Sequence, residues 1–231
     1  MKDKIVLCVA AHPDDLDFAI SGTIAKWIKQ GALCYYLICT NGCKGSSDPS
    51  MTGKKLIKIR RQEQLKASKI LGVKDVFFLK HNDTELVADL SLKKEIAYYI
   101  RKLQPDIVVS MDPTFVYSPL GFINHTDHRA AGQATIDAVF PMARDRLTFP
   151  EHERQGLLPH KVKMLYLVSF EKPTEIIDIS GFIDLKLKAL HAHKSQVSTN
   201  VISRIKERAK QLGKKRGYSF AEGFIKINLP S

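Results

Sequence analysis

The sequence predicts an α/β fold with a doubly wound, Rossmann-like and mostly parallel sheet that has helices on both faces. Short apolar runs alternate with segments of helical period over the N-terminal two-thirds of the chain, which is typical of strand–helix–strand units. The apolar runs are nearly continuous, as in strands that are covered on both faces. No composition shift divides the 231 residues, so residues 1–231 are predicted to form a single domain.

The predicted strands are short runs rich in β-branched and aromatic residues. Those that alternate with helices lie at residues 5–11, 32–40, 76–79, 107–111 and 164–170. Further strands are predicted at residues 175–179 and 220–229. Because crossover connections between parallel strands are right-handed, these units are expected to build one sheet with helices on either side.

The predicted helices have apolar residues at spacings of three and four. The first apolar face ends before Gly31, the second before Gly72 and the third before Pro105, and glycine and proline are common just after helix ends. Residues 181–193 and 200–212 also have helical patterns, and the latter segment is strongly basic. Residues 140–161 contain three prolines and are predicted to be irregular.

Charge and hydropathy exclude several classes of protein. Lys and Arg number 36 against 24 Asp and Glu, which gives a net charge of +12. A basic surface can attract nucleic acid, but no nucleic-acid-binding motif accompanies the charge, so we interpret it as a solvated surface. No apolar run reaches the ~18–20 residues that span a bilayer, and the N terminus lacks the features of a signal peptide. We therefore expect a cytoplasmic protein with no membrane span and no nucleic-acid partner.

Polar residues follow the predicted strands at the point where each strand ends. They are His12-Pro13-Asp14-Asp15, Asn41-Gly42-Cys43, His81-Asn82-Asp83 and Asp112. In open parallel sheets, ligands bind outside the carboxyl ends of the strands. The sequence therefore predicts one shared pocket at this edge of the sheet.

The pocket residues favour metal chemistry. The sequence has no GxGxxG loop, no complete P-loop and no GxSxG turn. His12 and Asp15 are three residues apart, and His125 and His128 begin the helical segment after the fourth strand. Two histidines, one carboxylate and a water form the ligand set of a catalytic zinc site. Residues 12–15 alone are explained equally well by a structural role, in which His12 is a turn residue and Asp14 or Asp15 is a helix N-cap. The second pair, His125 and His128, favours the metal site.

The order of four motifs resembles that of the LmbE/PIG-L-like family of metal-dependent N-acetylglucosaminyl deacetylases. The motifs are Ala11-His12-Pro13-Asp14-Asp15, Arg60-Arg61-Gln62-Glu63, Asn124-His125-Thr126-Asp127-His128 and His193-Lys194-Ser195-Gln196. The sequence departs from the family pattern after the first motif, where Leu16-Asp17-Phe18-Ala19 replaces an acidic, glycine-rich stretch. This departure bears on the substrate pocket more than on the metal ligands.

The resemblance implies His12, Asp15 and His128 as ligands of one Zn²⁺ per chain, with another divalent metal as the alternative. It implies Asp14 as the general base that takes a proton from the attacking water. It implies a cationic His125 that stabilises the oxyanion or protonates the leaving amine.

On the substrate side, the resemblance implies Arg60, Asp127 and His193. Arg60 would hold the sugar or its anionic substituent, and Asp127 would keep His125 protonated. Each residue also has a structural alternative: Arg60 on the solvated face of a basic helix, Asp127 as a helix cap, and His193 as a polar group at a helix end.

The function that the resemblance implies is zinc-dependent removal of the acetyl group from an N-acetyl sugar or glycoconjugate of the N-acetylglucosamine type. The family's members usually form homo-oligomers, so a homo-oligomer is expected. One alternative is another metal-dependent amidohydrolase on the same scaffold, acting for example on a thiol-sugar conjugate. Another is a basic nucleic-acid-binding protein.

Overall fold

The computed structural model describes residues 1–118 and 121–230. The strands are β1 (Ile5–Ala10), β2 (Leu33–Thr40), β3 (Asp75–His81), β4 (Ile107–Met111), β5 (Tyr117–Ser118), β6 (Phe122–Ile123), β7 (Met164–Val168), β8 (Glu175–Asp178) and β9 (Ala221–Asn228). The helices are α1 (Asp15–Lys29), α2 (Gly53–Leu71), α3 (Leu90–Leu103), α4 (Thr126–Asp137), α5 (Pro150–Arg154), α6 (Ile183–Leu190) and α7 (Thr199–Lys214).

The main sheet has the strand order β3-β2-β1-β4-β7-β9-β8. Strands β3, β2, β1, β4 and β7 pair in parallel, whereas β9 is antiparallel to both of its neighbours. The short strands β5 and β6 form a separate antiparallel hairpin. This topology confirms the mostly parallel, doubly wound sheet, and the winding direction changes between β1 and β4, where such folds bind ligands.

The two faces of the sheet bury alternate residues of each strand. In β1, Val6 and Cys8 belong to the hydrophobic cluster under α1, α2 and α6, whereas Leu7 and Val9 belong to the cluster under α3 and α4. All four side chains are fully buried. The continuous apolar runs in the sequence thus have the expected cause, because both faces of each central strand are covered.

Most helix ends lie where the glycine and proline residues of the sequence predict them. Helix α2 ends at Gly72, whose φ of 85° is the left-handed conformation that glycine adopts at low cost. Helix α3 ends at Gln104, just before Pro105. The segment predicted to be irregular contains part of a π-helical turn at Ala138–Met142 and the short α5.

None of the helices in the described residues has both the length and the hydropathy of a membrane-spanning helix. Helix α4 packs closely on the end of β4, because a Cβ on Gly132 would lie 2.4 Å from the Met111 carbonyl oxygen. Glycine at this position, in the second turn of α4, therefore lets the helix approach the carboxyl end of β4.

Candidate active site

The loop between β1 and α1 has a strained backbone at Asp14. Its φ is 103°, in a region where a residue with a Cβ costs about 1–3 kcal/mol. Asp14 stands at the N-cap position of α1, but its side chain makes no capping hydrogen bond. Asp15, the first residue of α1, accepts the His12 backbone N–H at 2.8 Å. The carboxylate of Asp14 is therefore not used as a helix cap.

The potential ligand atoms of His12, Asp15 and His128 converge from two elements, the β1–α1 loop and α4. His12 Nδ1 lies 3.3 Å from His128 Nε2 and 3.4 Å from Asp15 Oδ2. His128 Nε2 lies 3.0 Å from Asp15 Oδ1. Metal bonds of about 2.0–2.2 Å at tetrahedral angles place ligand atoms about 3.3–3.6 Å apart. The two distances from His12 fall in this range and the distance between His128 and Asp15 is shorter. The three side chains would therefore hold one ion and leave a position for water or substrate.

The remaining ring nitrogens of both histidines have oxygen partners. His12 Nε2 lies 3.1 Å from Asp127 Oδ2 and 3.1 Å from Asp83 Oδ1. His128 Nδ1 lies 3.1 Å from Asn124 Oδ1. Oxygen partners of this kind fix the proton on the nitrogen they face and orient the ring. The lone pairs of His12 Nδ1 and His128 Nε2 are thereby directed to the shared point.

Carboxylates outnumber cations around His12. Burial lowers the pKa of His12, but the carboxylates of Asp15, Asp127 and Asp83 together raise it to about 12. Burial raises the pKa of Asp15, and the imidazoles of His128 and His12 lower it well below its usual range. This excess of buried negative charge favours a bound cation, and a divalent metal supplies one.

Asp83, in the loop after β3, is a site residue without a motif in the sequence. Asp83 is buried, and burial by itself raises its pKa. The opposite effect of His12 and Arg60 is larger and lowers the pKa to about 2. With His12, His125 and Asp127 it forms a second group whose potential ligand atoms lie within 4.8 Å of one another. The signal that does find Asp83 is its position at the end of a parallel strand.

Arg60 and Asp14 meet beside the loop. Arg60 is only 4% exposed, so the alternative interpretation, in which it lies on a solvated helix face, is wrong. Its Nη2 donates to Asp14 Oδ2 at 3.2 Å and to the Pro13 carbonyl at 2.8 Å, and its Nη1 donates to the Gly42 carbonyl at 3.0 Å. Gly42 has a φ of 64°, and a Cβ there would lie 2.6 Å from Nη1, so the guanidinium requires glycine.

The environment of Asp14 suits a proton acceptor. Burial raises the pKa of Asp14 to about 6, although the Arg60 guanidinium opposes this shift. A carboxyl group with a pKa of about 6 is largely ionised at neutral pH and is a stronger base than an ordinary aspartate.

His125 lies on the cavity side of the ligand set. Its ring meets that of His12 edge-on, with centroids 4.6 Å apart, and its side chain is 37% exposed. Its Nδ1 accepts the Asp127 backbone N–H at 3.2 Å, which caps α4 and leaves the proton of a neutral ring on Nε2. Burial and the neighbouring His12 lower the pKa of His125. This geometry favours a neutral imidazole over the cationic one that was expected.

Asp127 and His193 lie behind the cavity wall. Asp127 is fully buried, and its Oδ2 is 4.0 Å from His125 Nδ1 but 3.1 Å from His12 Nε2. Asp127 therefore orients His12 rather than holding a proton on His125. His193 is 1% exposed, and its Nε2 lies 2.8 Å from Asp17 Oδ2. Asp127 and His193 therefore lack the exposed surface that the substrate contacts predicted for them would need.

The sequence does not predict a role in the site for two supporting residues, Asn124 and Gln64. Asn124 orients His128, as described above. Gln64 lies one helical turn after Arg60 on the buried face of α2 and accepts the Asp14 backbone N–H at 2.8 Å. The available signal for Gln64 is its polar side chain on a face that otherwise contacts the core.

A cavity of about 1020 Å³ opens from the ligand set toward α7. Its inner end is lined by His12, Asp14, Asp15, Arg60, Asp83, His125 and His128. Phe115 and Phe122 line its side and stack with centroids 6.0 Å apart, and Lys172, Arg208 and Lys215 line its outer end. This volume is at the upper end of the range of small-molecule sites.

Comparisons with known proteins find deacetylases. Diacetylchitobiose deacetylase of Thermococcus kodakarensis is 35% identical over 228 residues, which cover 95% of this chain and 82% of the relative. A probable N-acetyl-alpha-D-glucosaminyl L-malate deacetylase 2 of Bacillus anthracis is 28% identical over 204 residues, covering 86% and 84% of the two chains.

A solved structure has the same fold over nearly the whole chain. It is N,N'-diacetylchitobiose deacetylase from Pyrococcus horikoshii in complex with an inhibitor, with a TM-score of 0.90 and 33% sequence identity. The similarity covers 97% of this chain and 84% of that one. The PIG-L family model, described as GlcNAc-PI de-N-acetylase, matches residues 7–139, which include His12, Asp15 and His128. The chain therefore belongs to the PIG-L family.

Proposed function

We propose that this chain is a zinc-dependent hydrolase that removes the acetyl group from an N-acetylglucosamine-type substrate. The observation that supports it most is the convergence of His12 Nδ1, His128 Nε2 and the Asp15 carboxylate, which lie 3.0–3.4 Å from one another. The 35% identity to a diacetylchitobiose deacetylase supports the substrate class. The single domain, the homo-oligomer, the cytoplasmic location and the absence of a nucleic-acid partner stay predictions.

His12, Asp15 and His128 would hold the metal ion. A divalent ion in this position supplies Lewis-acid polarisation and lowers the pKa of water toward neutrality. Asp14 accepts the proton of the attacking water: both Asp14 and Asp83 line the cavity beside the ligand set, but only the pKa of Asp14 is raised, whereas that of Asp83 is lowered. Its pKa of about 6 leaves it ionised at neutral pH.

His125 acts on the acyl oxygen as negative charge develops on it. Its Nδ1 is occupied by the Asp127 backbone N–H, so its Nε2 is the nitrogen with a proton to donate. A neutral donor stabilises an oxyanion or passes its proton to the leaving amine, and it does not repel a bound cation. Arg60 keeps Asp14 in place through its bond to Asp14 Oδ2.

The test is acetate release from N-acetyl sugars by protein of known metal content. We expect about one zinc ion per chain, loss of activity on chelation and recovery on addition of zinc. His128→Ala should lose both the metal and the activity. The exposed histidine variant His191→Ala is the matched control and should retain both. Full metal content in His128→Ala would show that the ligand assignment is wrong.

A further inference from the structure

A buried chain of hydrogen bonds joins Asp14 to the distal His193 motif. The Asp14 backbone N–H donates to Gln64 Oε1 at 2.8 Å, and Gln64 Nε2 donates to Asp17 Oδ2 at 2.8 Å. His193 Nε2 lies 2.8 Å from the same Asp17 oxygen. All four residues are buried, and Gln64 and Asp17 have no exposed surface. We call these contacts the Gln64 chain.

We propose that Gln64, Asp17 and His193 are positioning residues that hold Asp14 in its strained conformation, with Gln64 as the direct link. The inference rests on the proposed function, because it takes Asp14 as the proton acceptor. It goes beyond that function by assigning a task to the His193 motif, which contacts neither the cavity nor the ligand set.

The strain at Asp14 makes such a device necessary. A φ of 103° persists in a residue with a Cβ only where the surrounding structure over-determines it. Relaxation at Asp14 would rotate the peptide bonds on either side of it, so it would displace the proton acceptor. Helix α2 opposes this relaxation twice: Arg60 binds the Asp14 carboxylate and the Pro13 carbonyl, and Gln64 binds the Asp14 N–H.

An amide side chain is required at residue 64. It must accept a hydrogen bond from Asp14 and donate one to the carboxylate of Asp17, and glutamine does both. A glutamate would place a second carboxylate against Asp17, and an apolar residue would leave the buried Asp14 N–H without a partner. Gln64 Nε2 also lies 3.2 Å from Ser68 Oγ on the same helix, which further fixes the orientation of the amide.

Asp17 and His193 fix the far side of Gln64. Asp17 Oδ2 receives both hydrogen bonds, whereas its Oδ1 has no partner in the described residues. The same distal motif is held on α2 at a second point, where Ser195 donates from its backbone N–H and its hydroxyl to Glu63. Adjacent residues of α2, Glu63 and Gln64, therefore connect the distal motif to the Asp14 loop.

The first experiment compares Gln64→Met with Gln62→Met, a control on the exposed side of the same helix. We expect Gln64→Met to lower kcat by about 10–100-fold, as for other residues that orient catalytic groups, with KM and zinc content unchanged. We expect the hydrogen bond to Gln64 to protect the Asp14 amide from exchange in the parent protein. This amide should exchange faster in Gln64→Met, with or without metal. Gln62→Met should change neither.

A double-mutant cycle separates positioning from general support of the fold. In an Asp14→Asn background, Gln64→Met should cause little further loss of kcat, because the group that it positions is already disabled. Two results would overturn the proposal: a wild-type kcat in Gln64→Met, or the same loss in both backgrounds.

If Gln64→Met does not fold, a pair of substitutions at His193 decides the matter. His193→Leu removes the donor to Asp17, and His193→Gln restores an N–H donor, so kcat should fall in the first and largely recover in the second. Equal losses in the two variants would contradict the inference. Absence of acetate release by the parent protein would refute the proposed function alone, since exchange of the Asp14 amide still reports on the Gln64 link.

Discussion

Two buried arginines lie on opposite faces of the sheet and have different acceptors. Arg101, on α3, donates to five backbone carbonyls, those of Met142, Ala143, Asp145, Thr148 and Phe149, at 2.7–3.3 Å. Arg60, on α2, donates to the carbonyls of Pro13 and Gly42 and to the carboxylate of Asp14. Its Nε is buried without a partner in the described residues.

The acceptors of a buried cation show what it does. All five acceptors of Arg101 lie within residues 142–149, so Arg101 fixes the fold of one segment that has little regular structure of its own. The acceptors of Arg60 come from two different strand ends and include a group with a raised pKa. Arg60 also lines the cavity, whereas Arg101 does not. We therefore propose that Arg101 stabilises the fold, whereas Arg60 positions a group that takes part in the reaction.

The largest effect is expected at the partner that distinguishes the two arginines. Asp14→Asn should lower kcat by about 10²–10⁴-fold with metal retained, because the amide cannot take a proton from water. Burial raises the pKa of Asp14 to about 6, so parent activity should increase as the pH rises through about 6 and Asp14 loses its proton. The pH–rate profile of the variant should lack this acidic limb. A fully active Asp14→Asn protein would refute the mechanism.

On the other side of the comparison, Arg101→Met should lower the free energy of unfolding by about 3–5 kcal/mol, since five carbonyls lose a charged donor. Chemical denaturation measures this loss, and kcat per folded molecule should not change. Lys102→Met, at the exposed neighbouring position, is the control and should have little effect. A catalytic defect in Arg101→Met with normal stability would reverse the assignments of the two arginines.

The contrast also explains which parts of the structure the sequence predicts. Strands, helix faces and the location of the pocket follow from local periodicity and from the rule that ligands bind at strand ends. His12, Asp15 and His128 are predictable because each belongs to a short motif beside a strand end. The acceptors of Arg101 are backbone carbonyls, which have no residue-type signature, so nothing in the sequence reveals them.

Long-range polar pairs are unpredictable for a related reason. Lys186 on α6 binds Glu222 on β9 at 2.7 Å, both almost fully buried, and Glu222 accepts the N–H groups of Gly22 and Thr23 in α1. Each residue alone is typical of a solvated surface. Only the folded arrangement of three distant segments pairs them, and the same applies to Asp17 and His193.

A smaller effect is expected from Arg60→Met. The Asp14 side chain would lose one of its orienting contacts, and kcat/KM should fall by about 10–100-fold with zinc content unchanged. Arg61→Met is the matched control, because Arg61 lies over the ring of Phe78 at 4.1 Å outside the site. Unchanged kinetics on a good substrate would place Arg60 in the same structural class as Arg101.

The smallest effect is expected at a third arginine, which extends the comparison to the outer end of the cavity. Arg208 on α7 lies 3.6 Å over the ring of Phe170 and has no hydrogen bond or ion pair within the described residues. Its guanidinium is oriented by stacking, yet its N–H donors are unused by the part of the chain that the structure describes. Charge pairs at exposed positions contribute about 0.2–1 kcal/mol. Arg208→Gln should therefore raise KM by about 1.5–5-fold for N-acetyl sugars with a carboxylate or phosphate substituent, and leave KM for neutral ones unchanged.

Arg204→Gln, on the same helix but outside the cavity, controls for the change in net charge, and added salt should weaken the difference between the two variants. Equal KM values for charged substrates in both variants would mean that Arg208 is held for its contact with Phe170, and that among these three arginines only Arg60 acts at the site.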